Sequence, residues 1–390
     1  MAEQYDVVVV GGGIHGVGVA QAAACAGYSV LVLEQTALAA GASSRSSKLI
    51  HGGLRYLEGH DYGLVRESLR ERSILLRIAP DLVWLRPFFI PVYPDTTRRP
   101  LILRAGLTLY ALLGGIHRSS RFRTLPRREW HTLDGLDTRH LQAVFQYFDA
   151  QADDAGITRA VMHSAIRLGA TLACPAEFTS ARIEAQRCTV ACRERGIDKH
   201  CTTSVVVNAA GPWAERVDER ISPTPPPNPV ELVQGAHLVV PGALTRGCYY
   251  LEAPQDRRAI FLLPRGEHAL LGTTEHRYTG DPAAVEVLPG EESYLLEVLG
   301  YYFPHRPATV IERFAGLRVL PASSKTAFSR SRETMLTVND VRRPRRVSIY
   351  GGKLTGYRAT AQKVMHILGR TLPARTIVGD TANLKLVPVD

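Results

Sequence analysis

The chain has 390 residues, enough for two or three domains and for a large hydrophobic core without disulfides or structural metals. Apolar residues make up 45 % and charged residues 22 %, which excludes wholesale disorder, a collagen-like fold and a disulfide-rich miniprotein. The formal net charge is +10, and only six of the 47 basic residues are lysine, so arginine carries nearly all the positive charge. An anionic substrate, an anionic membrane surface and nucleic acid are therefore the candidate partners.

The first predicted unit is a β-strand, a glycine turn, a helix and a second strand. Residues 5–10 form a β-branched run typical of a buried strand, residues 17–27 are small and apolar, and residues 29–33 again favour a strand. Glycines interrupt this apolar stretch and no lysine or arginine precedes it, so we expect neither a signal sequence nor a membrane span.

The turn carries the pattern G-x-G-x-x-G at Gly11, Gly13 and Gly16. Gly11 allows a tight turn, Gly13 lets the backbone approach a pyrophosphate, and Gly16 lets the helix pack closely on the strand. The helix N-terminus then offers free N–H groups to phosphate. Glu34, 18 positions after Gly16, is expected to bind a ribose 2′-hydroxyl and to repel a 2′-phosphate, which argues against NADP.

Three separated strand ends with small residues favour FAD over NAD. Residues 41–56, GASSRSSKLIHGGLRY, follow the second strand directly and can run extended along a long cofactor. A strand ending at Val207 continues into NAAGPW, and a strand ending at Tyr350 continues into GGKLT and a helical pattern. These ends suit one extended ligand better than a compact nicotinamide site.

A basic segment at residues 98–128 contains eight arginines and no acidic residue, around the apolar run of residues 105–116. Twelve residues cannot span a bilayer, so the run is either a helix packed in the core or a segment lying in a membrane interface. No recognition motif accompanies the charge, so nucleic acid is not predicted as a partner. Cys188, Cys192 and Cys201 lie near His200 in strand-like stretches, and they are predicted to be buried or edge-strand thiols rather than ligands of a structural zinc ion.

Several strings together resemble FAD-dependent glycerol-3-phosphate dehydrogenase, of the D-amino-acid-oxidase-like group of flavoproteins. The resemblance covers about residues 5–370, and KLIHGGLRYLE is its most specific element. The strings are GGGIHG, SSRSSKLIHGGLRYLE, NAAGPW, GAHLVVP, LLGTTE, AGLRVL and YGGKLTGYR.

The expected fold is α/β, with a Rossmann-like FAD-binding domain and a second, α+β substrate domain built on an antiparallel sheet. The FAD-binding domain is expected to be discontinuous, because the motifs that would contact the cofactor are far apart in the chain. The predicted ranges are 1–80, 150–215 and 345–372 for the FAD-binding domain, 81–149 and 216–344 for the substrate domain, and 373–390 for a C-terminal tail.

The resemblance implies oxidation of sn-glycerol 3-phosphate to dihydroxyacetone phosphate, with hydride transfer to FAD N5 and electrons passed to a quinone or another acceptor. His51 is the best candidate base, because its loop is expected to pass the isoalloxazine and a neutral imidazole suits that role near neutral pH. His237 is the rival, and Arg318 is the foremost phosphate anchor. The implied substrate contacts are Arg55, Tyr56, Thr274, Arg318, Arg332 and Lys353. The implied FAD contacts are Gly11, Gly13, Ile14, His15, Gly16, Glu34, Ser43, Ser44, Ser47, Lys48, Leu49, Gly52, Phe178, Ala210, Gly211, Gly352, Lys353, Leu354 and Thr355.

The chain also departs from the family pattern. Glu275 stands where Asp is usual, Val319 where Pro is usual and Gly356 where Thr is usual. We also expect the chain to lack the C-terminal helical domain that is usual in the family. Two alternatives stay open: oxidation of another small anion, such as a 2-hydroxy acid or an amino acid, and a flavin-binding protein without catalysis. We expect a cytoplasmic chain and leave open a peripheral contact with the inner face of a membrane; the oligomeric state is not predicted.

Overall fold

Two β-sheets organise the structure, a computed structural model that describes residues 3–115, 118–322 and 334–389. The strands are β1 (Glu3–Val10), β2 (Val30–Leu33), β3 (Leu49–Ile50), β4 (Val83–Val92), β5 (Arg123–Thr124), β6 (Ala143–Ala152), β7 (Thr171–Ala173), β8 (Ala176–Ile183), β9 (Cys188–Glu194), β10 (Ile197–Asn208), β11 (Ile221–Ser222), β12 (Val230–Pro241), β13 (Cys248–Glu252), β14 (Ala259–Arg265), β15 (His268–Gly272), β16 (His276–Tyr278), β17 (Glu312–Pro321), β18 (Met335–Val338) and β19 (Arg346–Tyr350). The α-helices are α1 (Ile14–Cys25), α2 (Tyr62–Ile78), α3 (Pro100–Leu113), α4 (Asp154–Arg167), α5 (Ala214–Glu219), α6 (Pro289–Tyr302) and α7 (Tyr357–Leu368).

The first sheet has a parallel centre in the order β7–β2–β1–β10–β19. Strand β1 is β-branched throughout its buried half because both faces are covered. Val7 and Val9 contribute to the core beneath α1, α4 and α7, whereas Val8 and Val10 face a second cluster that includes Phe178. Antiparallel strands β8, β9 and β18 extend this sheet. The parallel order brings the carboxyl ends of β1, β10 and β19 to one edge.

The second sheet runs in the order β16–β12–β15–β14–β13–β4–β6–β3, with β17 also paired to β12. Its strand pairs are antiparallel except for β4 with β13. Helix α6 packs on one face and α2 and α3 lie over the other. The predicted combination of a parallel nucleotide-binding sheet and a second, largely antiparallel sheet is confirmed.

Helix α3 contains residues 105–113 of the apolar run of the basic segment. Gly114 and Gly115 follow the end of the helix, and Ile116 lies outside the described residues. Its inner face is packed in the core through Leu107 and Tyr110, each 1 % exposed. Its outer face leaves Leu101 80 % exposed and Ile102 64 % exposed. Within the described ranges, no helix is both long and apolar enough to cross a bilayer.

The three clustered cysteines are buried, as their strand-like sequence predicts. Burial raises the pKa of Cys201 to about 11 and that of Cys188 to about 12. Among the residues that the structure describes, no group of three His, Cys, Asp or Glu side chains is arranged to hold a metal ion.

Candidate active site

The glycine turn between β1 and α1 is too crowded for side chains at two positions. Gly11 has a φ of +110°, and a Cβ there would lie 2.6 Å from the Ala209 carbonyl oxygen. A Cβ on Gly16 would lie 1.9 Å from the Gly11 carbonyl oxygen. These contacts are the tight turn and the close helix–strand approach that the glycine spacing predicts.

Two side chains order the backbone amides of this turn. The Gly12 N–H donates to Glu34 Oε2 at 2.7 Å, and the Thr36 N–H donates to Glu34 Oε1 at 2.8 Å. The Ile14 N–H, one of the free donors at the start of α1, donates to Ser43 Oγ at 2.9 Å. Glu34 therefore braces the phosphate-binding turn from the end of β2, as well as lying where a ribose is expected.

A long groove follows the carboxyl edge of the first sheet and encloses about 2870 Å³, including space open to solvent. The turns after β1, β10 and β19 all contribute to its wall, which suits a ligand that extends across several strands. Gly352 lines the groove with a φ of +94°, and a Cβ there would lie 2.3 Å from His15 Nε2, so this position leaves no room for a side chain. The predicted FAD contacts on its wall are Gly11, Gly13, Ile14, His15, Glu34, Ser43, Ser47, Leu49, Phe178, Ala210, Gly211, Gly352, Lys353, Leu354 and Thr355.

Four of the residues predicted to contact FAD do not line the groove. Gly16 faces the Gly11 carbonyl, and Ser44 Oγ donates to the Gly41 carbonyl within a turn. The Lys48 ammonium turns away to the buried carboxylate of Asp154, 2.5 Å from Oδ1. Gly52 is packed among core side chains. Each therefore supports the site from outside the groove.

A smaller cavity joins the groove at the loop that carries His51. Ser47, Leu49, His51, Thr273 and Arg318 line both spaces, so a molecule in the small cavity would lie directly against one in the groove. Residues on or beside strands of the second sheet form the floor of this cavity: Phe88, Tyr147, Asp149, Tyr250, Arg258, Ala259 and Phe261. Gly53, Leu54, Arg55 and Glu275 also line the cavity.

The ring of Tyr56 is the meeting point of three predicted site residues. Lys353 Nζ lies 4.0 Å from the ring centroid, and the guanidinium carbon of Arg55 lies 5.2 Å from it. The His51 ring stacks on the same tyrosine at a centroid distance of 6.4 Å. Residues 51–56 and Lys353, nearly 300 positions apart, thus form one cationic and aromatic cluster.

Arg318 is held by a buried carboxylate. Its Nη1 lies 2.9 Å from Glu275 Oε1, and its Nη2 donates to the Thr274 carbonyl at 2.9 Å. Gly235 leaves room for the guanidinium, because a Cβ there would lie 2.4 Å from Arg318 Nη2. Burial lowers the pKa of Arg318, and Glu275 opposes that shift. The arginine is therefore fixed in orientation at the cavity wall.

His237 lies on the groove side of this wall. Its Nε2 is 3.0 Å from Ser47 Oγ, and its ring stacks on Phe314 at 5.0 Å. Burial, with smaller contributions from Arg318 and Lys48, lowers the pKa of His237 to about 3. The imidazole is therefore neutral at neutral pH and is a weak proton acceptor.

The structure does not bring every predicted substrate residue to the cavity. Thr274 is 5 % exposed, its hydroxyl accepts from the Ala236 N–H and donates to Glu291, and it faces the core. The neighbouring Thr273 lines the cavity in its place. Arg332 lies outside the described residues.

Sequence reasoning missed the cavity floor. Tyr147 and Asp149 come from β6, Tyr250 comes from β13, and Arg258 precedes β14. No local motif marks these residues, and only the pairing of distant strands brings them together. The available signal is their spacing: Tyr147 and Asp149 are two positions apart, so their side chains lie on the same face of β6.

The fold has counterparts in known proteins. The family described as "DAO: FAD dependent oxidoreductase" matches residues 6–355. The chain is 36 % identical over 385 residues to a glycerol-3-phosphate dehydrogenase of Pseudomonas aeruginosa, covering 94 % of this chain and 72 % of that protein. It is 35 % identical over 378 residues to a D-erythritol 1-phosphate dehydrogenase of Brucella abortus, covering 95 % and 75 % respectively.

A solved structure agrees with these relatives. The glycerol-3-phosphate dehydrogenase of Bacillus halodurans, complexed with FAD, superimposes with a TM-score of 0.76 at 25 % identity and covers 98 % of this chain and 68 % of that one. The glycine turn, the groove and the family match agree on the cofactor, and the predicted FAD is confirmed. The chain thus belongs to the FAD dependent oxidoreductase family, and it is similar in sequence to the glycerol-3-phosphate dehydrogenases.

Proposed function

We propose that the chain oxidises sn-glycerol 3-phosphate to dihydroxyacetone phosphate, with its phosphate and carbinol held in the small cavity beside His51. The observation that carries the proposal is the cavity itself: three arginines and one histidine line a space that opens directly onto the cofactor groove. The similarity to relatives named glycerol-3-phosphate dehydrogenase supports the same substrate.

The charge of the cavity supports a phosphorylated substrate. Arg55, Arg258 and Arg318 line it against the carboxylates of Asp149 and Glu275, and Arg72 forms an ion pair with Asp149 from behind the floor. Positive charge is therefore in excess on the lining. Arginine presents a fork of donors that matches phosphate oxygens, and Glu275 already fixes the plane of Arg318.

His51 is proposed as the base that takes the hydroxyl proton. It lines both spaces, so it can contact a carbinol that lies against the cofactor. His237 is the weaker candidate because its pKa is lowered to about 3 and because it lines the groove without lining the small cavity. His237 is instead suited to orient Ser47.

In the proposed reaction, FAD and the residues of the chain have separate roles. FAD, when bound, supplies the acceptor for the hydride that leaves the carbinol carbon. The chain binds the phosphate through the cavity arginines, holds the carbinol toward the groove and accepts its proton at His51. The aromatic floor of Phe88, Tyr250 and Phe261 excludes water from the reacting end.

The test is a visible spectrum of the purified protein followed by anaerobic addition of sn-glycerol 3-phosphate. We expect flavin absorbance that is bleached by this substrate and not by lactate or glycine at equal concentration. Bleaching by lactate or glycine alone would move the function to another small anion. A stable flavin spectrum with every compound would indicate a binding protein without turnover.

A longer polyol phosphate is a second candidate substrate. The relative from Brucella abortus is named for D-erythritol 1-phosphate, and it matches this chain as well as the glycerol-3-phosphate dehydrogenases do. The floor carries the polar groups of Tyr147, Asp149 and Tyr250, which can bind an additional hydroxyl. The ratio of kcat/KM for the two phosphates distinguishes these substrates.

We also propose that electrons pass to a quinone and that the outer face of α3 contacts an anionic membrane. Leu101 and Ile102 are exposed beside the exposed arginines Arg99 and Arg104. Sedimentation with anionic vesicles at high salt tests the contact: binding of the natural chain and its loss in a Leu101→Asp, Ile102→Asp variant support it. Equal sedimentation of both proteins would refute it.

A further inference from the structure

The backbone amides of His51, the proposed base, and of Gly52 are hydrogen-bonded to two different parts of the structure. The His51 N–H donates to Thr355 Oγ1 at 3.1 Å, and the next amide, that of Gly52, donates to Asp149 Oδ1 at 3.2 Å. Thr355 belongs to the turn after β19, whereas Asp149 lies on β6 in the second sheet. The loop is therefore attached to both sheets within two consecutive residues.

Asp149 is itself fixed by two buried partners. Arg72 Nη1, on α2, donates to Asp149 Oδ1 at 2.8 Å, and the Tyr110 hydroxyl, on α3, donates to Oδ2 at 2.8 Å. Arg72 also donates to the carbonyls of Phe148 and Ser119. Asp149, Arg72 and Tyr110 are 2 %, 1 % and 1 % exposed. A carboxylate with this set of donors has a fixed location and fixed oxygen directions.

Tyr110 also constrains Gly52 by contact. A Cβ on Gly52 would lie 2.3 Å from the Tyr110 hydroxyl oxygen and 2.4 Å from Leu69 Cδ2. The peptide between residues 51 and 52 is thus pressed against the same side chain whose hydroxyl orients Asp149. The main chain at Gly52 therefore has no free space on the side that faces α2 and α3.

We propose that Asp149, Tyr110 and Arg72 form a positioning cluster that sets the location of His51 relative to the cofactor groove. The proposal rests on the proposed function, in which His51 is the base. A buried ion pair adds little stability over well-packed apolar residues, whereas it can impose one geometry on its neighbours. Here the geometry imposed is that of the Gly52 amide, one residue from the reacting imidazole.

The experiment compares two tyrosine-to-phenylalanine variants. Tyr110→Phe removes a hydroxyl that donates to Asp149 at 2.8 Å. Tyr249→Phe is the control, because it removes a hydroxyl that donates to Asp134 Oδ2 at the same distance. Tyr249 is also buried, and it lines neither the groove nor the small cavity. We expect Tyr110→Phe to lower the limiting rate of flavin reduction by sn-glycerol 3-phosphate about tenfold, since small misplacements of reacting groups cost one to two orders of magnitude. KM should stay within about twofold because the phosphate contacts are intact. Tyr249→Phe should change neither quantity.

A second readout does not depend on turnover. Hydrogen–deuterium exchange of the peptide that spans residues 50–53 should be faster in Tyr110→Phe than in the natural chain, and unchanged in Tyr249→Phe. Asp149→Asn serves as the second variant and should accelerate the same exchange while retaining FAD. Unchanged exchange in both Tyr110→Phe and Asp149→Asn would overturn the proposal, and so would faster exchange with an undiminished rate.

The two hypotheses fail in different ways. If no phosphorylated polyol reduces the flavin of the natural chain, the proposed function fails, and the exchange data alone still decide whether the cluster holds Gly52. If the natural chain is active and the Tyr110→Phe protein has natural exchange and a natural rate, only the positioning cluster is refuted.

Discussion

The close contacts around Gly16 allow a quantitative prediction for the substitution Gly16→Ala, which adds one methyl group. In Gly16→Ala, the new Cβ would start 1.9 Å from the Gly11 carbonyl oxygen and 3.1 Å from its carbon. An ordinary carbon–oxygen contact is about 3.3 Å or longer, so the helix start and the turn must separate by more than about 1 Å. Both obstructing atoms are backbone, and no side-chain rotation can relieve the contact.

The expected cost follows from this geometry. Overpacking of this kind costs typically about 1–3 kcal/mol, and it exceeds the gain of about 0.5–1 kcal/mol that alanine brings to a helix interior. Gly106→Ala is the matched control, because Gly106 also lies inside a helix, α3, and a Cβ there would meet no atom within 4 Å. The same substitution should therefore destabilise at Gly16 and stabilise at Gly106.

The assay is urea unfolding of the FAD-free proteins, followed by FAD titration of each. We expect a lower urea midpoint and at least tenfold weaker FAD binding for Gly16→Ala, since the displaced turn is the one that would hold the pyrophosphate. Gly106→Ala should have a higher midpoint and natural FAD affinity. An FAD affinity of Gly16→Ala equal to that of the natural chain would refute the argument from close approach.

Four further predictions concern the site and its support. His51→Asn should lower kcat by about 10²–10⁴ with FAD retained, and near-normal activity would return the base role to His237. Arg318→Ala should weaken substrate binding by about 2–5 kcal/mol, measured as KM, and an unchanged KM would remove it as an anchor. Glu71→Gln leaves Arg358, 2 % exposed, without its carboxylate at 2.6 Å, and the free energy of unfolding should fall by about 3–5 kcal/mol. Because the folded pKa of His237 is about 3 and its ordinary value is 6.5, the unfolded chain binds more protons between these values. Stability should therefore rise with pH across this window, and His237→Asn should show a shallower rise in the unfolding free energy.

Short sequence patterns predicted the features that depend on residues close together in the chain. The turn at Gly11 follows from a short unit of strand, turn and helix, whose spacing brings Gly16 close to Gly11. The same spacing places Glu34 beside the turn, but the hydrogen bond from the Gly12 amide to Glu34 was not predicted. The apolar run of α3 is ambiguous in sequence for a physical reason. Its residues are apolar on both faces, so composition alone cannot say that Leu107 is packed and Leu112 is exposed.

Long-range pairing decides what the sequence could not predict. Tyr147, Asp149 and Tyr250 reach one floor only because β6, β4 and β13 pair in a particular register. In an extended chain, neighbouring side chains point to opposite sides, so an error of one position exchanges Thr273 for Thr274. The resemblance implies a cofactor contact for Lys48, whereas its ammonium donates to the buried carboxylate of Asp154, 106 positions away.

The strand order of the first sheet has a consequence for synthesis on the ribosome. Strand β1 pairs on one side with β2 and on the other with β10, where Val10 is opposite Asn208. At translation rates of about 5–20 residues per second, the nascent chain carries β1 with one open edge for roughly 10–40 s before β10 has been made. The turn after β19 is made later still. Cofactor capture is therefore a late event in the life of the nascent chain, and an apolar strand edge needs protection until then.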